Sequence, residues 1–448
     1  MNHWYEEAIF YHIYPLGLCD VPKENNYRDN LENFPILNQW LEHVKAIGCN
    51  AIYIGPLFES ATHGYDTTDY KRVDRRLGSN QDFRNLVDKC HQEGIKVVVD
   101  GVFNHTGRDF AAFKNLQELK WDSWGKDWYS QVDFNQRSPM GDPFSYECWG
   151  GHAILPRLNM NNPKVREYLM EVVKYWVAEF NIDGIRLDCA DVLDFNFMSE
   201  LRHLANHVKE DFWLMGEVIH GDYSRWANPE ILHSVTNYEL HKSIYSAHNA
   251  HNYFEMAHTI KRLFGEPYGL CRDVRLYNFV DNHDVDRIAS KLDNIKNLLP
   301  VHVFLYTIMG IPSLYYGSEW GIKGRKQDGG DDILRPALNL AELDAEDNEL
   351  VRLITKLAGI RLEHKELSHG SYQELILRNK QYVYAKIYNH QGCIIVLNND
   401  TNAEELSIDV PLSGRRVTDL ISGKSAAICE GRIHWLIEAN SGAILKVE

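Results

Sequence analysis

From the N-terminus to about residue 365, short apolar runs alternate with longer segments whose apolar residues recur every three or four positions. That pattern predicts repeated strand and helix units around a parallel sheet. Ala8 to Tyr14 reads as the first strand, and Leu37, Trp40, Leu41, Val44 and Ile47 line one face of a helix. Asn50 to Gly55 is the second strand and Phe83 to Glu93 the next helix. The run from Ile95 to Asp100 is nearly all apolar, as a strand buried on both faces requires. Helices are predicted at Pro163 to Phe180, Phe197 to Glu210, Tyr253 to Phe264, Val301 to Met309 and Asn348 to His364. Strands are predicted at Gly184 to Asp188, Phe212 to Gly216, Ser234 to Thr236, Val274 to Val280 and Ile311 to Tyr316. Eight strands interleaved with helices predict a closed (β/α)8 barrel.

Two stretches break the rhythm. Residues 105–162 are rich in Trp, Asp, Gly and Pro, without a clear period, and too long for an ordinary connection. They read as a small domain inserted after the third strand. From Tyr372 the pattern becomes alternating, as in 381–387, 392–397, 432–437 and 443–447, with Gly and Asn turns between. That predicts a C-terminal antiparallel β-sandwich. The expected organisation is barrel (1–104), insertion (105–162), barrel (163–366) and sandwich (367–448).

Composition narrows the partners. A net charge of −16 disfavours phosphate backbones and anionic lipid surfaces, so neither nucleic acid nor membrane is expected. The first residues carry no basic region before an apolar run, which predicts no signal peptide and a cytoplasmic protein. Eight scattered cysteines without CxxC or clustered His/Cys spacing predict buried free thiols.

The chemistry gathers where the strands end. In such a barrel, polar residues at the C-terminal ends of strands share one pocket. Here those ends carry Asp100, Asn104 and His105, then Arg186 and Asp188, then Glu217, then Asp281, His283 and Asp284. Arg186 and Asp188 are two apart on a strand and point the same way, so the guanidinium is expected to keep Asp188 ionised. A cleft with several carboxylates suits glycoside cleavage or a divalent cation. The abundant Trp, Tyr and His, and the lack of a Gly-rich phosphate loop, favour a sugar.

Asp100-Gly101-Val102-Phe103-Asn104-His105, Gly184-Ile185-Arg186-Leu187-Asp188, Gly216-Glu217-Val218 and Phe279-Val280-Asp281-Asn282-His283-Asp284 resemble the four signature stretches of the α-amylase family of glycoside hydrolases, in order and spacing. Residues 9–15, 63–70 and 310–317 resemble the same family, so the likeness runs over essentially the whole chain. It implies that Asp188 is the nucleophile, Glu217 the acid and then base, and Asp284 the transition-state stabiliser. It further implies that Arg186 positions Asp188, that His105 and His283 bind the sugar at subsite −1, and that Tyr65 stacks beneath it. Asp331 and Arg335 resemble the Asp-x-x-x-Arg pair of subsite −2, and Trp149 is a stacking candidate in the insertion. No metal ligands are assigned, and a structural calcium held through Asn104 is not expected.

Leu155-Pro156-Arg157-Leu158-Asn159 and Gly216-Glu217-Val218-Ile219-His220 resemble signatures of the neopullulanase and cyclomaltodextrinase group, with Ile219 where that group has tryptophan. Cys189-Ala190-Asp191-Val192 stands where many calcium-dependent α-amylases carry a Lys-His pair. The N-terminal β domain of that group is not in this sequence, and a monomer or weak oligomer is expected. The resemblance implies a retaining α-glucan hydrolase acting on α-1,4 bonds of maltooligosaccharides, with cyclodextrins and pullulan as further candidates. The alternatives are a 4-α-glucanotransferase and a noncatalytic carbohydrate-binding relative; the last would have lost a catalytic carboxylate, and all three are present.

Overall fold

The computed structural model describes residues 3–28, 30–326, 331–343 and 347–448. Eight parallel strands form the centre: β1 (Phe10–Ile13), β2 (Ala51–Ile54), β3 (Lys96–Gly101), β4 (Gly184–Leu187), β5 (Trp213–Gly216), β6 (Ser234–Val235), β7 (Tyr277–Phe279) and β8 (Ile311–Tyr315). They pair in the order β6-β5-β4-β3-β2-β1-β8-β7. A parallel bridge between Thr236 and Tyr277 closes the ring.

Strand alternation sorts the residues. On β1, Ile9, Tyr11 and Ile13 face the surrounding helices, whereas Phe10 joins Tyr53, Val98, Trp213, Met215 and Tyr277 in an apolar plug inside the barrel. A Cβ at Gly184 would lie 2.5 Å from the Trp213 carbonyl oxygen, so only glycine fits beside that plug. Two residues further along β1, β3, β4 and β5 the inner face turns polar, with His12, Asp100, Arg186 and Glu217 all buried. The barrel is therefore apolar at its floor and charged at its mouth.

The helices begin where capping groups are, which shifts several starts relative to the apolar pattern. Ser79 and Asp82 form a reciprocal capping box ahead of Asn80–Gln92, and Asp194 caps Phe195–Val208. Pro163–Phe180 begins on a capping Asn162, as predicted. Helix Tyr238–Asn249 was not legible in the pattern. Its inner face mixes Leu240, Ile244 and Ala247 with buried His241, Ser243 and His248, which breaks the apolar period. An antiparallel hairpin, Phe58–Ser60 with Thr67–Val73, also lay unseen in the connection after β2.

Within 105–162 a helix, Ala111–Leu119, is followed by irregular chain tied by isolated bridges such as His105–Arg157 and Cys148–Pro156. Beyond residue 370 the chain is antiparallel. A six-stranded sheet faces the two-stranded ribbon Glu404–Asp409 with Arg432–Ile437, and Val383, Ala385, Ile394, Val396, Leu406, Ile433 and Trp435 fill the space between. The sheet's other face, with Tyr382 and Tyr384, packs on the barrel, where Tyr384 meets Phe304 at 6.3 Å between ring centroids. Among the described residues no helix is long and apolar enough to cross a membrane.

Candidate active site

Arg186 is the hub of the barrel mouth. Its Nη1 donates to Asp100 Oδ1 and to Asp188 Oδ1, each at 2.8 Å, and its Nη2 lies 2.8 Å from Glu217 Oε2. One guanidinium thus holds three carboxylates from three neighbouring strands. Tyr53 OH at 2.7 Å and Tyr65 OH at 3.2 Å donate to Asp100 Oδ2, so Asp100 anchors the arginine and is committed to support.

Tyr65 reaches the centre from the turn of the hairpin after β2. Gly64 adopts φ +93°, and a Cβ there would meet Pro56 Cγ at 2.2 Å, so the turn requires glycine. Asp66 fastens it by accepting from Thr62 N at 3.1 Å and Thr62 Oγ1 at 2.7 Å. The Tyr65 ring stacks on His283 at 5.6 Å, and its hydroxyl bonds His283 Nε2.

Asp284 is held from two sides. Its Oδ2 lies 2.8 Å from His283 Nε2, and its Oδ1 accepts from Arg335 Nη2 at 2.9 Å. The same Arg335 nitrogen reaches Asp331 Oδ2 at 3.1 Å, and Arg335 Nε donates to the His283 carbonyl at 3.0 Å. His105 donates through Nε2 to the Tyr65 carbonyl at 3.1 Å, and Trp149 leans on His105 at 5.9 Å between rings. These contacts link the ten residues given site roles from the sequence, Asp188, Glu217, Asp284, Tyr65, His105, Arg186, His283, Trp149, Asp331 and Arg335, into one cluster.

Three participants were not anticipated. Tyr53 belongs to an apolar run, and nothing in that run distinguishes a hydroxyl that bonds Asp100. Tyr238 OH donates to Glu217 Oε1 at 3.1 Å and itself accepts from Asn282 Nδ2 at 3.2 Å. It opens helix Tyr238–Asn249, which the apolar pattern did not show. Cys189, a buried free thiol as expected, donates from Sγ to Asp188 Oδ2 at 2.9 Å, and its backbone N–H reaches Glu217 Oε2 at 3.3 Å. The other cysteines are also free; Cys429 is exposed and Cys148 half-buried.

The electrostatics correct one expectation. Burial is the strongest influence on Asp188 and pushes its carboxyl up to about 7; Arg186 pulls the other way, and Glu217 and Asp100 push up again. A single guanidinium divided among three carboxylates does not offset the desolvation of Asp188. Asp284 behaves oppositely. Burial pushes it up, but His283 and Arg335 outweigh that and hold it well below the usual carboxylate range. Burial lowers the His105 imidazole to about 4, leaving it neutral at neutral pH.

The chain matches the family model for the α-amylase catalytic domain over residues 36–359. The chain belongs to the α-amylase family of glycoside hydrolases. A cyclomaltodextrinase of Thermoanaerobacter pseudethanolicus is 32% identical over 427 residues, covering 91% of this chain and 72% of the relative. The solved structure of a cyclomaltodextrinase superposes with a TM-score of 0.88 at 27% identity, over 99% of this chain and 78% of that one. A debranching enzyme from Nostoc punctiforme superposes with a TM-score of 0.85 at 28% identity over 100% of both chains. Two apolar side chains just beyond β4 and β5 stay open to solvent, Val192 at 44% and Ile219 at 39% exposure.

Proposed function

We propose that the protein is a retaining α-glucan hydrolase that cuts α-1,4 bonds of maltooligosaccharides and related dextrins, cyclic ones included. The observation that carries the reading is the shared guanidinium: Asp188 and Glu217 occupy the two terminal nitrogens of Arg186, side by side as a retaining pair requires. In the first step Glu217 gives its proton to the glycosidic oxygen while Asp188 attacks the anomeric carbon. The bond to the leaving sugar breaks and a β-glycosyl ester forms. In the second step Glu217, now a carboxylate, takes a proton from water, whose oxygen displaces Asp188 and returns the α-configured product. Asp284, fixed in its ionised form, binds sugar hydroxyls and stabilises the positive charge that develops in both transition states.

Side chains alone supply this scheme, so treatment with a chelator is expected to leave most of the turnover. Maltoheptaose followed by proton NMR and chromatography tests the proposal. The α-anomer should appear first and only shorter sugars should accumulate. A β-anomer as first product would exclude the double displacement, and products longer than the substrate would make the protein a transferase.

A further inference from the structure

We propose that Cys189 makes the catalytic centre a binding site for a soft divalent cation, zinc in the first instance, with the Cys189 thiolate, the Asp188 carboxylate and the His105 imidazole as its protein ligands. The donor atoms of these three residues lie within 4.8 Å of one another. All three are buried, at 7%, 6% and 1% exposure, in the wall of the sugar cleft. A mixed sulfur, nitrogen and oxygen set of three, with a fourth position open to water, is what zinc takes; calcium and magnesium call for oxygen alone. The thiol already touches Asp188 Oδ2 at 2.9 Å; His105 Nε2 serves the Tyr65 carbonyl, so the imidazole binds through Nδ1 by giving up its 3.3 Å contact with Asn104 Nδ2. Its backbone is fixed as well: Cys189 adopts φ 47°, ψ 41° ahead of the turn Ala190–Val192. Asp100, Asp188 and Glu217 surround the single cation Arg186, and one protonated carboxyl among them still leaves excess negative charge to attract an ion.

On binding, the S–H bond breaks with its proton passing to water, the thiolate binds the metal, and Asp188 donates an oxygen lone pair to it. That lone pair is the one needed for attack on the anomeric carbon. Zinc therefore competes with the sugar, an arm of the inference that rests on the proposed function. A second trio, His364, Glu366 and Cys393, also brings donor atoms within 4.8 Å. There Lys446 Nζ and the Cys393 thiol converge on one oxygen, Glu366 Oε1, at 2.5 and 3.2 Å, whereas at Asp188 the guanidinium of Arg186 takes Oδ1 and the thiol faces Oδ2.

Cobalt(II) serves as the visible probe. Titrating the full chain should produce a thiolate-to-cobalt charge-transfer band at one equivalent, and zinc should displace it. The band should vanish in Cys189→Ala, weaken at least tenfold in His105→Gln, and persist in Cys393→Ala, with circular dichroism confirming that each variant is folded. Zinc should inhibit maltoheptaose cleavage competitively and reversibly by chelator, and folded Cys189→Ala should be at least tenfold less sensitive. A band absent from the parent, or one that survives Cys189→Ala or disappears only in Cys393→Ala, overturns the site. Should His105→Gln be the variant that folds while Cys189→Ala does not, undiminished cobalt binding in it overturns the site equally. A parent that binds cobalt through Cys189 yet cleaves no glucan supports the site and refutes the proposed function.

Discussion

Two buried arginines stand at opposite ends of the barrel, Arg186 at 3% and Arg361 at 1% exposure, and their surroundings differ in kind. Arg186 is set among carboxylates. Arg361, on helix Glu349–Glu363, donates instead to backbone carbonyls of Tyr306 at 2.7 Å and Gly310 at 2.6 Å, just ahead of β8. Burial and the like charge of Arg275 bring its guanidinium down to about 10. Lys386 adds a third basic side chain there, fully buried, its Nζ without a hydrogen-bond partner among the described residues. The mouth of the barrel thus concentrates negative charge around one cation, whereas below its apolar floor basic side chains gather against peptide dipoles. Carboxylates in different settings can exchange protons with a substrate; an arginine on carbonyls can only hold the chain.

The largest contrast is in turnover. Asp188→Asn keeps the shape of the side chain but removes the nucleophile, so turnover should fall by about 10⁴-fold or more while oligosaccharide affinity stays within about tenfold. Steady-state kinetics and calorimetric binding check this, and a variant within tenfold of the parent rate would sink the assignment. At the floor, Arg361→Leu should leave kcat nearly unchanged at room temperature but cost about 2–4 kcal/mol of stability, since buried carbonyls lose their donors. Denaturant titration measures it; a loss of rate without a loss of stability would place Arg361 in the wrong half of the contrast.

Lys386→Met is expected to stabilise the protein by roughly 1–3 kcal/mol at neutral pH. Burial, then Arg361 and Arg275, depress the Lys386 ammonium well below its ordinary value. The folded protein therefore binds fewer protons there than the unfolded chain, and stability rises with pH until the unfolded lysine titrates. The benefit of the substitution should accordingly shrink toward pH 10, and a pH-independent benefit would show that Lys386 finds a partner in solution. Asp188 gives the mirror image. Its carboxyl is pushed up to about 7, so the folded state binds the extra proton and stability falls as pH rises from about 4 through 7. Asp188→Asn should raise Tm at pH 8 and not at pH 4. The acid limb of kcat/KM should lie near neutrality; a limb near 4 in the parent would mean that water relieves the burial of the nucleophile.

The strand ends were legible because strands buried on both faces must be apolar until they reach the mouth, where Asp100, Arg186, Glu217 and Asp284 interrupt them. Residues acting through a hydroxyl or a thiol were not, since Tyr53, Tyr238 and Cys189 occur as readily in an apolar core. The proton affinity of Asp188 was misjudged for a related reason. Its spacing from Arg186 is visible along one strand, but its burial, and after that the charges of Glu217 and Asp100 on neighbouring strands, arise only in the closed barrel.

The barrel's closure has a consequence for heat. Around most of the ring adjacent strands share ladders, yet among the described residues β6 meets β7 through one isolated bridge, Thr236–Tyr277, backed by Asn237 N on the Tyr277 carbonyl at 2.9 Å and Asn237 Nδ2 on Asn278 Oδ1 at 2.9 Å. Tyr238, the next residue, holds Glu217. This seam should open before the rest of the molecule melts, as a sub-global fluctuation. The amide of Asn237 should then exchange with deuterium sooner than those of β3 or β4, and activity should fade some degrees below the calorimetric midpoint. Equal protection at both places would show that the zip holds as firmly as the weave.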